Sequence, residues 1–289
     1  MSKTNDSVQR FLFEKTAIRG ERVYIKHSFA QALASHLYTQ PIRVLLGELV
    51  AASVLLSTSL KYAGIMTLQV RSTGSLPLLM VECNHKNSFR ALARWQGENS
   101  HQAEQPMLKD GQLVISIDPE QGKRYQGIVP LNQPTLSKSL EHYFTQSEQL
   151  PTYVWLASDG IISSGLLIQQ LPHHTNNTLC EAPEEDWSRI IALTSTISDE
   201  ELLSLNTETL LYRLYHEENV RLFDSQPVTF KCTCSRQRSA TIIKNIGQEE
   251  ALSVLSEQGQ IKMDCQFCNQ QYIFNAEEIK TIFGCDLTG

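Results

Sequence analysis

Two short stretches near the end of the chain, FKCTCSRQR (residues 230–238) and MDCQFCNQQYIF (residues 263–274), hold two close cysteine pairs. Cys232, Cys234, Cys265 and Cys268 thus form C-x-C, a gap of 30 residues, then C-x-x-C. Four thiolates in two close pairs satisfy a tetrahedral zinc ion, which favours sulfur and imposes no d-electron geometry. A unit of roughly sixty residues buries little apolar surface, and a structural metal is one usual remedy. Zinc in such units contributes an apparent ~10–16 kcal/mol that is inseparable from folding. The spacing therefore predicts one Zn2+ per chain in the reduced state, bound by these four cysteines in a small domain over residues 228–289.

The C-x-C half is unusual, since ordinary zinc ribbons use two C-x-x-C turns. A disulfide closed within C-x-C must bend the chain, because extended residues two apart hold their Cα atoms near the upper limit for bridging. Strained disulfides are the readily reduced, regulatory kind. The arrangement suits a switch as well as a staple. Lys231, Arg236, Arg238 and Lys262 flank the pairs and either offset an anionic centre or are plain surface cations. Of the other cysteines, Cys83 reads as a buried thiol, Cys180 lies in a polar boundary, and Cys285 is a further oxidisable group near the C-terminus. None of the three is expected to be a ligand.

The whole chain has 289 residues, 41% hydrophobic content and a formal charge of −6. Its charge is uneven: +3 over residues 1–180, −8 over 181–230 and −1 over 231–289. An acidic chain without a dense basic stripe argues against a nucleic-acid partner. The first residues lack an apolar leader core, so no secretory signal is expected. The longest apolar run, VLLGELVAASVLLSTSL (residues 44–60), is interrupted by Glu48 and reads as a buried helix, not a membrane span. Cysteines in a cytoplasmic protein serve as thiols, metal ligands or redox groups.

Residues 1–180 read as an α+β core domain with a mixed β-sheet and helices. RFLFEKTAI and RVYIKHS are expected as strands with a turn at Arg19-Gly20. Helices follow over residues 29–62, with Ala30, Leu33 and Leu37 on one face. Short strands then run through residues 64–171, interrupted by a helix over 135–150. A polar boundary, PHHTNNTLCEAPEED (residues 172–186), ends the strand signals. Residues 181–227 read as an acidic helical linker. Ser198 with Glu201 forms a capping box and Asn206 caps a further helix. Trp187, Ile190, Ile191, Leu210, Leu211, Leu214 and Tyr215 make its narrow apolar stripe, marginal in isolation unless packed on a neighbour. Beyond residue 228, helices are expected over 239–246 and 249–258. A hairpin then carries the C-x-x-C at its turn, and Asn275 caps a last helix with Glu278 three residues on.

These residues resemble the redox-regulated 33 kDa chaperonin family of bacterial heat-shock holdases. FKCTCSRQR and DCQFCNQQYIFN carry the likeness in the cysteine unit. RFLFEKTAIRGERV, LLGELVAASVLLSTSLKYAG, RYQGIVPL, LEHYFTQSEQLPT and LLYRLYHEENVRLFD extend it over essentially the whole chain. The resemblance implies an N-terminal α+β core, a helical linker and a C-terminal zinc domain. It implies an ATP-independent, cytoplasmic chaperone that is weakly active when reduced and zinc-bound. Oxidation would pair Cys232 with Cys234 and Cys265 with Cys268, release zinc and loosen the linker. The activated form, in the family often a homodimer, would hold unfolding client proteins; the residues themselves offer the linker stripe, exposed once the zinc unit unfolds, as the candidate surface. Gln237 stands where many members have an acidic residue, and Cys285 is extra to the four-cysteine pattern.

Enzymatic readings find little support. The C-x-x-C lies in a hairpin, not in the βαβ setting of thioredoxin-like oxidoreductases. No G-x-S-x-G, P-loop, G-x-G-x-x-G or H-E-x-x-H is present. Four thiolates leave a zinc ion no open position for water. The His173-His174 pair reads as solvated. The sequence thus predicts a binding protein, with no enzyme activity, nucleic-acid partner or membrane attachment.

Overall fold

The first hairpin pairs β1 (Ser7–Phe13) with β2 (Ile18–Ile25), Phe11 lying opposite Gly20. The turn falls at residues 14–17, with Lys15 at φ 63°, and not at Arg19-Gly20 as the sequence suggested. A Cβ at position 20 would collide with the Phe11 ring, so this glycine makes room for an aromatic side chain inside the strand. The computed structural model describes residues 6–60, 62–96, 107–172 and 183–284. Cys180, Cys285 and the His173-His174 pair lie outside these residues.

Helix α1 (His27–Leu33) follows and buries Phe29, Ala32 and Leu33. Ala30 is exposed, and Leu37 is 94% exposed because the helix ends before it. The expected face of Ala30, Leu33 and Leu37 is corrected accordingly. Helix α2 (Gln40–Ser59) starts with a proline in its first turn, where no N–H is missed. By length and composition it can cross a membrane, but 78% of its apolar window is buried within the protein.

Two sheets enclose α2. The second is built from β3 (Gly64–Arg71), β4 (Leu78–Asn84), β5 (Ser88–Arg94), β6 (Gln112–Pro119) and β7 (Tyr125–Pro130), all antiparallel. Helix α3 (Leu136–Tyr143), capped by Thr135, runs into a π-helical turn (Phe144–Glu148). Strands β8 (Thr152–Ser158) and β9 (Ser163–Gln170) then return to the first sheet, where β9 pairs with β2. Successive strand residues face opposite sides. Val23, Ile25, Val154 and Leu167 therefore meet α2 in the main core, while Ile18, Ala157, Leu166 and Ile168 face away from it.

That far face is covered by α4 (Pro183–Thr194), α5 (Asp199–Ser204) and α6 (Thr207–Tyr215). The Ser198–Glu201 capping box and the Asn206 cap form as expected. Strand signals do not end before the linker, however. Three short strands follow α6: β10 (Val220–Leu222) and β11 (Gln226–Pro227) on the edge of β1, and β12 (Thr229–Phe230) parallel to β5. Strands of two or three residues show no alternation to read.

The chain divides into two compact units between Lys231 and Cys232, so residues 183–231 pack with the first. The second contains α7 (Arg236–Ile246), α8 (Gln248–Gln258), the β13 (Ile261–Asp264)–β14 (Gln271–Phe274) hairpin and α9 (Ala276–Phe283). Its buried core is small: Ile243, Ala251, Ile261, Phe274 and Ile279. The α+β architecture expected from the sequence is borne out.

Candidate metal centre

The C-x-C pair lies on the extended chain entering α7, whose N-terminus is capped when Ser235 Oγ accepts the Arg238 N–H. This cap fixes where the extended segment stops, one residue after Cys234. Arg238 Nη1 donates to the carbonyl of Thr233, the residue between the two cysteines, at 2.8 Å. The C-x-x-C sits at the turn of the β13–β14 hairpin, where Cys265 N–H donates to Gln270 O at 2.9 Å and Asn269 N–H to Cys265 O at 2.7 Å. Asn269 takes φ 54°, a left-handed conformation that asparagine tolerates.

These local structures bring all four sulfurs within 4.8 Å of one another. Cys232 and Cys265 Sγ are 3.6 Å apart, and Cys234 and Cys268 Sγ are 3.5 Å apart. A tetrahedron with metal–sulfur bonds of ~2.3 Å has edges of about 3.8 Å, so the donor set fits one tetrahedral ion. Soft sulfur donors in this geometry suit zinc or iron. Among the described residues no other group of His, Cys, Asp or Glu is so arranged. Burial raises the Cys268 thiol first, a Gln270 N–H pulls it back, and the other three sulfurs raise it further. Four adjacent sulfurs resist becoming four thiolates unless a cation joins them.

The flanking arginines have structural partners. Arg236 donates to Ile273 O and Glu278, and stacks 4.5 Å from the Phe274 ring. Glu278 also closes the capping box with Asn275 at the start of α9. Tyr272 Oη donates to Cys234 Sγ at 3.2 Å. The sequence reading did not single out Tyr272, although an aromatic hydroxyl four residues beyond the last cysteine was there to be weighed.

The linker stripe lies elsewhere, within the first unit. Ile190, Leu210, Leu211, Leu214 and Tyr215 are buried against Phe11, Phe13, Ile18, Leu166 and Ile168, while Trp187 and Ile191 are half-buried at its margin. Tyr215 meets Phe13 edge-on at 4.9 Å, and its hydroxyl bonds Thr194 Oγ1 at 2.7 Å. Each fully buried leucine is worth about 1.5–3 kcal/mol, which supplies the neighbour the stripe needs. Arg22, unremarked in the sequence, is also here and fully buried. Its guanidinium donates to Leu202 O at 2.8 Å and Leu205 O at 2.9 Å, the last carbonyls of α5. It also donates to Ser164 Oγ and Val23 O, and burial lowers its pKa to about 10. Cys83, fully buried in β4, is pushed up to about 12 by burial and is an inert thiol, as expected.

The chain is similar to known proteins over nearly its whole length. The family model described as Hsp33 protein matches residues 6–275. The 33 kDa chaperonin of Ectopseudomonas mendocina (strain ymp) is 48% identical over 282 residues, covering 96% of this chain and 95% of its own. That of Pseudomonas syringae pv. tomato is 46% identical over 281 residues, covering 96% and 93%. The crystal structure of the 33 kDa chaperonin (heat shock protein 33 homolog) of Thermotoga maritima superposes with a TM-score of 0.81 at 18% identity, covering 96% of this chain and 98% of that one. The match to the family model and these full-length relatives place the chain in one family: it belongs to the Hsp33, or 33 kDa chaperonin, family.

Proposed function

We propose that the chain is a redox-regulated, ATP-independent holdase whose switch is a zinc ion held by Cys232, Cys234, Cys265 and Cys268. The observation that carries this is the closed set of four sulfurs within 4.8 Å in a unit with a five-residue buried core. Bound zinc supplies cross-linking of the two cysteine pairs and leaves no open position for hydrolytic chemistry. The chain's own residues supply the rest. Oxidation joins Cys232 to Cys234 and Cys265 to Cys268, and removes the ligands.

A unit with so small a core then loses its main support. It is continuous in sequence with β12, β11 and β10, each two or three residues long. Such short ladders sit at the low end of local stability. Their loss frees the end of the linker, and the stripe of Trp187, Ile190, Ile191, Leu210, Leu211, Leu214 and Tyr215 parts from the sheet. The apolar surface so exposed holds unfolding proteins. The activated form is a homodimer, works in the cytoplasm and turns over no substrate.

The test follows zinc release, far-UV circular dichroism and aggregation of an unfolding client in one sample of reduced, zinc-loaded protein. Hydrogen peroxide is added at a mildly denaturing temperature. Zinc release, helix loss and suppressed aggregation, all reversed by dithiothreitol with zinc, are expected. Zinc release without client holding would make the metal purely structural and overturn the switch.

A further inference from the structure

Tyr272 stands on β14 opposite Met263 on β13, half-buried against the small core of the second unit. Its hydroxyl donates to Cys234 Sγ at 3.2 Å, within the usual range for an O–H···S hydrogen bond. A bond from a neutral donor to an anionic sulfur stabilises charge on that sulfur. We infer that Tyr272 is a positioning residue that shields Cys234 from oxidants, and so sets how much peroxide the C-x-C half withstands. The inference rests on the reading that these sulfurs are the oxidant's target.

The chemistry gives the direction. A cysteine sulfur attacks peroxide with a lone pair: an S–O bond forms, the O–O bond breaks and hydroxide leaves. The neighbouring thiolate then attacks that sulfur, forming S–S and expelling a second hydroxide. Two sulfurs lose two electrons in all, and one peroxide becomes two hydroxides. In the first step negative charge leaves the sulfur. A hydrogen bond that favours charge there is therefore stronger before the reaction than at its transition state, and it raises the barrier. Partners of metal ligands commonly tune them in this way. The hydroxyl belongs to the hairpin that also carries Cys265 and Cys268, yet it acts on the other pair. One side chain thus links the oxidation of the C-x-C half to the integrity of the C-x-x-C hairpin. Once that hairpin distorts, Cys234 loses its shield.

The substitution Tyr272→Phe keeps the ring and removes the donor. It is tested in the full zinc-loaded chain with a chromogenic zinc chelator over a series of peroxide concentrations. The slope of release rate against peroxide reports attack, and the intercept reports spontaneous loss. The slope is expected to rise about tenfold, the usual worth of a hydrogen bond to a charged acceptor, with the intercept little changed. Mass spectrometry of alkylated peptides at partial oxidation should show the Cys232/Cys234 peptide oxidised earlier, relative to Cys265/Cys268, than in the parent. An unchanged slope and order, or an intercept that rises in step with the slope, would overturn the role, the second because it marks a tyrosine that merely holds the site together. A parent protein that releases no zinc to peroxide would instead sink the redox reading beneath it.

Discussion

Glu48 interrupts the apolar run of α2 and is the one acidic residue in that helix. Burial first, and Asp199 at the start of α5 second, push its pKa up from 4.5 to about 7. The folded state thus favours the neutral carboxyl. Its contribution to stability is fully present below about 4.5 and is lost as pH rises through about 7. Glu48→Gln should leave stability near pH 4.5 almost unchanged and raise it at pH 8, by an amount on the order of 2 kcal/mol. All three tryptophans, Trp95, Trp155 and Trp187, precede Lys231, so urea unfolding followed by their fluorescence reports the first unit. Equal gains at both pH values would show that Glu48 is not titrating there. At this scale the four cysteines were legible because metal chemistry constrains spacing directly. Arg22 was not: on a strand it reads as an outward polar position, and its burial depends on carbonyls of α5 some 180 residues away.

Among the elements, those with local signals were the ones read correctly. The caps at Ser198, Asn206 and Asn275 are side-chain-to-backbone bonds within three residues, and each formed. The turn at Arg19-Gly20 was misplaced because a glycine can answer a distant ring as well as a local bend. β10, β11 and β12 went unseen because their pairing partners, β1 and β5, lie far away in sequence. The linker stripe was legible as a pattern, whereas its partner, the far face of the first sheet, was not. That packing yields a prediction. Tyr215 is 2% exposed and fits between Phe11 and Phe13, with ring centroids at 6.3 and 4.9 Å. Tyr215→Ala leaves a cavity and should cost about 3–5 kcal/mol locally. Docking of α6 should weaken, and the reduced protein should then hold clients while keeping one zinc per chain. Client aggregation and zinc content measured together check this. Reduced Tyr215→Ala that stays inactive despite an undocked linker would separate client holding from the stripe.

In the whole molecule the two units are supported by different physics. The first has an apolar core on both faces of one sheet, with α2 enclosed between two sheets. The second has, among its described residues, a buried apolar cluster of five residues and four sulfurs. Removing the metal should therefore unfold the second unit and undock the adjoining linker, and leave the sheets and α2 of the first unit folded. If zinc contributes an apparent ~10–16 kcal/mol, its loss exceeds what so small a core supplies. A strong chelator under reducing conditions should abolish structure beyond Cys232, loosen the linker before it and spare the sheets and α2. Trypsin reads this directly, because Arg236, Arg238, Lys244 and Lys262 lie within the second unit. Cleavage at these sites should accelerate by orders of magnitude on chelation, since proteolysis tracks the population of the open form. A resistant fragment that keeps the sheets and α2 should accumulate, its fluorescence changing only through Trp155 and Trp187, which lie at the linker–sheet contact. Resistance of the second unit after metal removal would mean that its small core suffices without the ion. Loss of the sheets and α2 as well would mean that the core of the first unit also depends on the metal. The selective outcome alone gives a switch in which an oxidant, by removing four ligands, unfolds the last fifth of the chain, frees the linker before it and leaves a folded platform behind.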